Sequence, residues 1–125
     1  MQRAFRSLVF GALLATGACG VRAVSDPFSR SCRGPGQIQI IVENQNFNDM
    51  RLFSVTTRGR QLLGQVGGHT TKTFVIDWRG LDEIRLRMEF LAGDDYESNL
   101  VNASPGDRLT LTIPQEPRNS ILRRR

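Results

Sequence analysis

The stretch Ile84-Arg85-Leu86-Arg87-Met88-Glu89-Phe90 alternates apolar and charged side chains without a break. Successive side chains of an extended strand point to opposite faces, so this period puts Ile84, Leu86, Met88 and Phe90 on one face and Arg85, Arg87 and Glu89 on the other. It reads as a strand with one buried face and one wet face whose charges discourage sheet-to-sheet aggregation. The same period recurs on both sides of it. Ile38, Ile40 and Val42 alternate with Gln37 and Gln39, with Ile41 as a misfit, and Leu109, Leu111 and Ile113 alternate with Arg108, Thr110 and Thr112.

Less regular segments at 51–57, 61–66, 73–78 and 96–101 are rich in β-branched or aromatic residues and bounded by turn signals, which brings the expected number of strands to seven. The connections carry suitable chemistry: Arg58-Gly59-Arg60, Gly67-Gly68-His69 and Ser104-Pro105-Gly106-Asp107. No stretch after the N-terminal segment repeats apolar residues at helical spacing over ten or more positions. Each strand has one face to bury against a second sheet. The expected fold is therefore all-β, a seven-stranded antiparallel β-sandwich of the immunoglobulin-like or transthyretin-like kind over 37–116, with a small open β-barrel as the alternative. The glycine-bounded turn region from Gly59 to Gly64 and the late Pro105-Gly106-Asp107 turn resemble those of small β-sandwich modules in bacterial exported, lipoprotein-type proteins. That resemblance spans residues 37–114 and implies a fold, carrying over no functional residue.

The N-terminal segment reads as an address. Arg3 and Arg6 precede the uncharged run Leu8–Gly20, which has the length and small-residue ending of a signal-peptide core, so residues 1–23 are expected to direct export. Ala15-Thr16-Gly17-Ala18 before Cys19 resembles a bacterial lipobox, with Thr16 standing where an aliphatic residue is usual. Lipidation of Cys19 would attach the domain to a membrane. Cleavage after Ala23 would leave it soluble, and a Cys19–Cys32 disulfide is a third reading. Residues 24–36, with Pro27, Gly34, Pro35 and Gly36, read as a flexible linker. Sixteen arginines against the single Lys72 suggest GC-rich bacterial coding, hence the periplasm or an outer-membrane-attached lipoprotein.

The chain has 125 residues and a net charge of +5 from 17 basic and 12 acidic side chains. Taking away Arg3, Arg6 and Arg22 leaves 14 basic residues, and four of those, Arg118, Arg123, Arg124 and Arg125, lie in the segment 117–125, read as a basic disordered tail. What remains is 10 basic against 12 acidic, which is not the electrostatic footprint of a nucleic-acid binder. The tail's arginines instead suit anionic lipid or lipopolysaccharide.

Chemistry is sparse. His69 is the only histidine and sits in a glycine-rich turn with no nucleophile motif, and one histidine with one spare cysteine does not make a zinc site. An enzyme is not expected. If consecutive strands run antiparallel, one end of the sandwich gathers Asn46, Asn48, Asp49, His69, Asp94, Asp95, Tyr96 and Glu97, and Asp49, Asp94 and Asp95 there are the candidate ligands for calcium, the one cofactor considered. The other end gathers Arg58, Arg60, Trp78, Arg79 and Arg108, a rim suited to an anionic or carbohydrate ligand. The expected function is a non-enzymatic, exported binding or structural module of the cell envelope, with an envelope protein or a surface glycan as partner. A calcium- or carbohydrate-binding β-sandwich is the alternative.

Overall fold

In the computed structural model, which describes residues 36–125, the alternating stretches form β1 (Gln37–Asn44), β2 (Met50–Thr56), β3 (Gly59–Val66), β4 (Thr71–Asp77), β5 (Asp82–Phe90), β6 (Asp95–Glu97), β7 (Val101–Ala103), β8 (Arg108–Ile113) and β9 (Ile121–Arg124). The expected signal peptide, Cys19, Cys32 and all of the linker but Gly36 lie outside the described residues. The strands make two sheets, one in the order β4-β1-β8-β9 (sheet A) and one in the order β3-β2-β5-β6 with β7 also on β5 (sheet B). The fold is a β-sandwich rather than a small barrel.

The core is the set of apolar residues that alternation assigned to the inner faces. Ile38, Ile40 and Val42 of β1, and Leu109, Leu111 and Ile113 of β8, face Leu52 of β2 and Ile84, Leu86 and Met88 of β5, all fully buried. Burying a side chain of this size contributes about 1.5–3 kcal/mol, so these strands hold the sheets together.

Three features differ from expectation. The sandwich has nine strands, not seven, and its strands are not all antiparallel, because β1 and β8 run parallel at the centre of sheet A. A parallel pair needs a crossover, and here the whole of sheet B intervenes between the two strands. The single strand expected at 96–101 is two. The three-residue step from Ile84 to Arg87 on β5 is matched by a four-residue step from Glu97 to Val101, so the chain bulges between β6 and β7. Inside the bulge Ser98 holds Leu86 through both its backbone N–H and its hydroxyl, the latter accepting the Leu86 N–H at 3.0 Å.

The third difference is the expected disordered tail. Pro117–Asn119 form one 3-10 turn, and β9 pairs antiparallel with β8 from Thr112↔Ile121 to Leu109↔Arg124. Leu122, 1% exposed, anchors it in the core. Of the four arginines that suggested disorder, Arg123 and Arg124 lie on a strand with a single buried side chain, too short to show a period, and Arg118 lies in the 3-10 turn.

Asn99 fastens this edge. Its side-chain amide donates to the Leu122 carbonyl at 2.9 Å and accepts the Leu122 N–H at 2.8 Å, so it pairs with β9 as a neighbouring strand would and ties the two sheets together. Replacing it by alanine removes both bonds and is expected to cost about 1–2 kcal/mol in denaturant unfolding, with Asn102→Ala near neutral as the comparison. An Asn99→Ala variant as stable as the parent would show that the tie carries no load.

Candidate functional site

One end of the sandwich is closed by three asparagines spaced two apart. Asn46 N–H donates to the Asn44 side chain and Asn48 N–H to the Asn46 side chain, two successive Asx turns. Their amide groups then reach outward: Asn44 to the carbonyls of Asn48 and Gly67, Asn46 to Gln115, and Asn48 to Ala92. Four connections are thereby bound into one cap. Gly68 has to be glycine there, since a Cβ would run into the Phe47 carbonyl, and His69 is held at a φ of 52° with its N–H on the Asn46 carbonyl.

The proposed calcium ligands do not assemble in this cap. The Asp49 carboxylate accepts the Gly68 N–H at 2.9 Å, and Asp95 pairs with Arg87 at 3.0 Å on the outside of sheet B. Among the described residues no group of three or more His, Cys, Asp or Glu side chains is placed to hold a metal ion. The asparagines and Asp49 of this end are occupied in turn formation, and Asp95 and Glu97 in ion pairs.

The outer face of sheet B is a lattice of compensated charge. Glu89, 15% exposed, receives Arg51, Arg60 and Arg87, while Arg87 also reaches Asp95 and Glu97, and Arg85 reaches Glu97. Arg60 lies over the Phe53 ring, 3.8 Å from its centroid. The hydrogen bond to Asp95, against some desolvation and with the nearby Glu89 and Glu97 charges, pushes the Arg87 guanidinium above its ordinary value and keeps it charged.

At the opposite end the candidate rim is only partly assembled. Trp78 is 5% exposed and donates its indole N–H to the Ala103 carbonyl at 2.9 Å, a strut between the end of β4 and β7. Arg58 donates to the Arg79 carbonyl and pairs with Asp82 at 3.6 Å, while Arg60 turns to Glu89. Arg108 is elsewhere, on the outside of sheet A, with its Nε on Gln39 at 3.0 Å. A cleft of about 200 Å³ opens here between the ends of β3 and β4; Ser54, Arg58, Gln61, Ile76, Trp78 and Asp82 are among its walls. Ser54 is 3% exposed, and its hydroxyl has no hydrogen-bond partner among the described residues.

The cleft lies at the end of an open strand edge, which sequence reasoning did not locate. Trp78 N–H bonds the Gly36 carbonyl and Asn44 N–H bonds the Thr70 carbonyl, which sets the even-numbered residues of β4 as the ones bonded to β1. The backbone N–H and C=O groups of Thr71, Thr73, Val75 and Asp77 therefore point away from the sheet, and no partner meets them among the described residues. The other edges are guarded. β3 shifts register between Leu52 and Phe53, leaving Leu63 unpaired, and its Gln65 carbonyl is capped by Lys72; β9 is tied by Asn99, and β6 and β7 are three residues each. Exposed Leu62 and Val75, at 54% and 49%, flank the open side.

No protein-family model matches the chain, and no curated protein is significantly similar to it in sequence. Among solved structures it is similar to a protein from Eubacterium rectale determined by NMR, at 14% identity over 76% of this chain and 92% of that chain, with a TM-score of 0.49.

Because the Ser54 hydroxyl satisfies nothing in the fold, Ser54→Ala is expected to leave unfolding free energy within about 0.5 kcal/mol of the parent. A loss of about 2 kcal/mol in the same denaturant titration would mean that the hydroxyl belongs to the fold and not to the cleft.

Proposed function

We propose that this chain is a non-enzymatic, exported binding module of the cell envelope that receives an extended segment of a partner protein along the β4 edge. The observation that carries this reading is the row of outward backbone groups at Thr71, Thr73, Val75 and Asp77, on a seven-residue strand that lacks the guards present at the other edges. An added strand gains affinity from main-chain hydrogen bonds and specificity from pockets for alternate side chains. The cleft at the Trp78 end supplies such a pocket, with the free Ser54 hydroxyl, apolar Ile76 and the charged pair Arg58–Asp82 at its walls. Delivery fits the same reading: the signal-like residues 1–23 would place the module outside the cytosol, and acylation at Cys19 would hold it at a membrane.

Val75 tests the edge without disturbing the fold. Its N–H points away from β1, so Val75→Pro removes an outward donor and leaves the β1 ladder whole, an orientation in which edge strands accept proline. The expected outcome is a melting temperature within about 5 °C of the parent and at least roughly tenfold weaker retention of an envelope protein captured by the parent chain. Phe74→Pro, which breaks a β1 bond, should destabilise the fold instead. Undiminished retention by a folded Val75→Pro chain contradicts strand addition.

A further inference from the structure

Eleven arginines lie among the described residues, and seven of them are ion-paired with carboxylates. The four without a carboxylate partner are Arg79, Arg108, Arg123 and Arg125. Three of these four share one face. Leu109 and Leu111 point into the core, so Arg108 and Thr110 point outward from sheet A; Arg123 stands opposite Thr110, and the Arg125 N–H bonds the Arg108 carbonyl across the strands. Side chains directly opposed in this way have Cβ atoms about 5 Å apart, and like charges at that distance destabilise a sheet.

The cations are not neutralised locally. Arg108 is steadied by the neutral Gln39 amide, the Asp107 carboxylate is engaged by Arg124 and the Ser104 N–H, and Glu43 lies at the far end of β8 beside Thr112. Sheet B matches its arginines with acids, whereas this face leaves three guanidinium groups to an external anion. Next to them is a cavity of about 220 Å³ lined by Thr112, Pro114, Asn119, Ile121 and Arg123, and Ile121 is 45% exposed. Guanidinium groups beside an exposed apolar side chain suit the headgroup region of a bilayer, where each cation gains from the anionic surface and the apolar group from the acyl boundary. A duplex nucleic acid would call for a longer row of cations.

We propose that the outer β8–β9 face of sheet A docks on an anionic, phosphate-bearing membrane leaflet through Arg108, Arg123 and Arg125, with Ile121 seated at its boundary. The surface is independent of the partner-binding edge. β4 and β9 are the two opposite edges of sheet A, with β1 and β8 between them, so a molecule resting on β9 leaves β4 free.

The test is co-sedimentation of the full chain, carrying Cys19→Ser so that no acyl anchor contributes, with vesicles of phosphatidylcholine alone or with about 30 mol% phosphatidylglycerol at low salt. Binding is expected to require the anionic lipid and to be lost by about 0.5 M NaCl. Each arginine is expected to contribute about fivefold, so the triple variant Arg108→Gln, Arg123→Gln, Arg125→Gln should bind roughly a hundredfold more weakly at an unchanged melting temperature. The corresponding triple lysine variant should keep its binding, and the charge-matched control Arg51→Gln, Arg79→Gln, Arg85→Gln should stay close to the parent. Equal binding by the triple glutamine variant, an equal loss in the control, or equal binding to pure phosphatidylcholine would overturn the proposal. Tighter and equally arginine-dependent binding to heparin or duplex DNA than to the vesicles would overturn the lipid assignment in favour of a free polyanion.

Discussion

Strand β1 is bonded on both sides, and the rest of the molecule is arranged by that fact. Its even-numbered residues exchange hydrogen bonds with β4, while Gln39 and Gln45 donate to the carbonyls of Asp107 and Ile113 along β8. Ile38, Ile40 and Val42 meanwhile point into the core. One strand thus sets the register of its sheet, fixes the inner face and brings an early and a late segment of the chain side by side. The parallel β1–β8 contact obliges the intervening chain to build sheet B and return, and it leaves β4 and β9 as the edges of sheet A.

Those two edges have opposite treatments. β9 is held by Asn99 and by Arg124 reaching the Asn102 carbonyl and Asp107, whereas β4 presents its outward backbone to solvent among the described residues. Charge is divided in a comparable way. The outer face of sheet B pairs guanidinium with carboxylate at nearly every turn, which gives a soluble surface with little net attraction for anions. The outer face of sheet A carries threonines with the acids Glu43 and Asp77 on β1 and β4, and becomes cationic toward β9. The open edge and the basic edge thus lie on opposite sides of sheet A.

Much of the fold was legible because one-sided burial writes itself as alternation. The apolar residues of Ile84 to Phe90, Ile38 to Val42 and Leu109 to Ile113 are buried as read, while on β1 and β8, which have a strand on each side, Gln39 and Thr110 of the face read as wet are buried too. What escaped had physical reasons. The bulge at Ser98 and Asn99 depends on side-chain bonds to Leu86 and Leu122, which lie far away in sequence, and β9 offers only Leu122 as a buried residue. The parallel pairing of β1 is a matter of topology, to which alternation is blind.

The site was less legible than the fold. Trp78 closes the alternating set of β4 and is a core strut, and Arg108 left the expected rim because β8 lies against β1 and faces outward. The asparagines at 44, 46 and 48 were visible as oxygen donors, and the two-residue spacing was the signal that they serve successive Asx turns. The open edge had no signal in the sequence, since an edge is defined by what does not lie next to it.

Amide hydrogen exchange along β4 tests the central claim most directly. If β4 is an open edge in the free protein, Lys72, Phe74 and Ile76 exchange slowly through their bonds to β1, while Thr71, Thr73, Val75 and Asp77 exchange quickly, a strict alternation along one strand. Uniform protection of all seven amides would contradict it, because the edge would then already be covered.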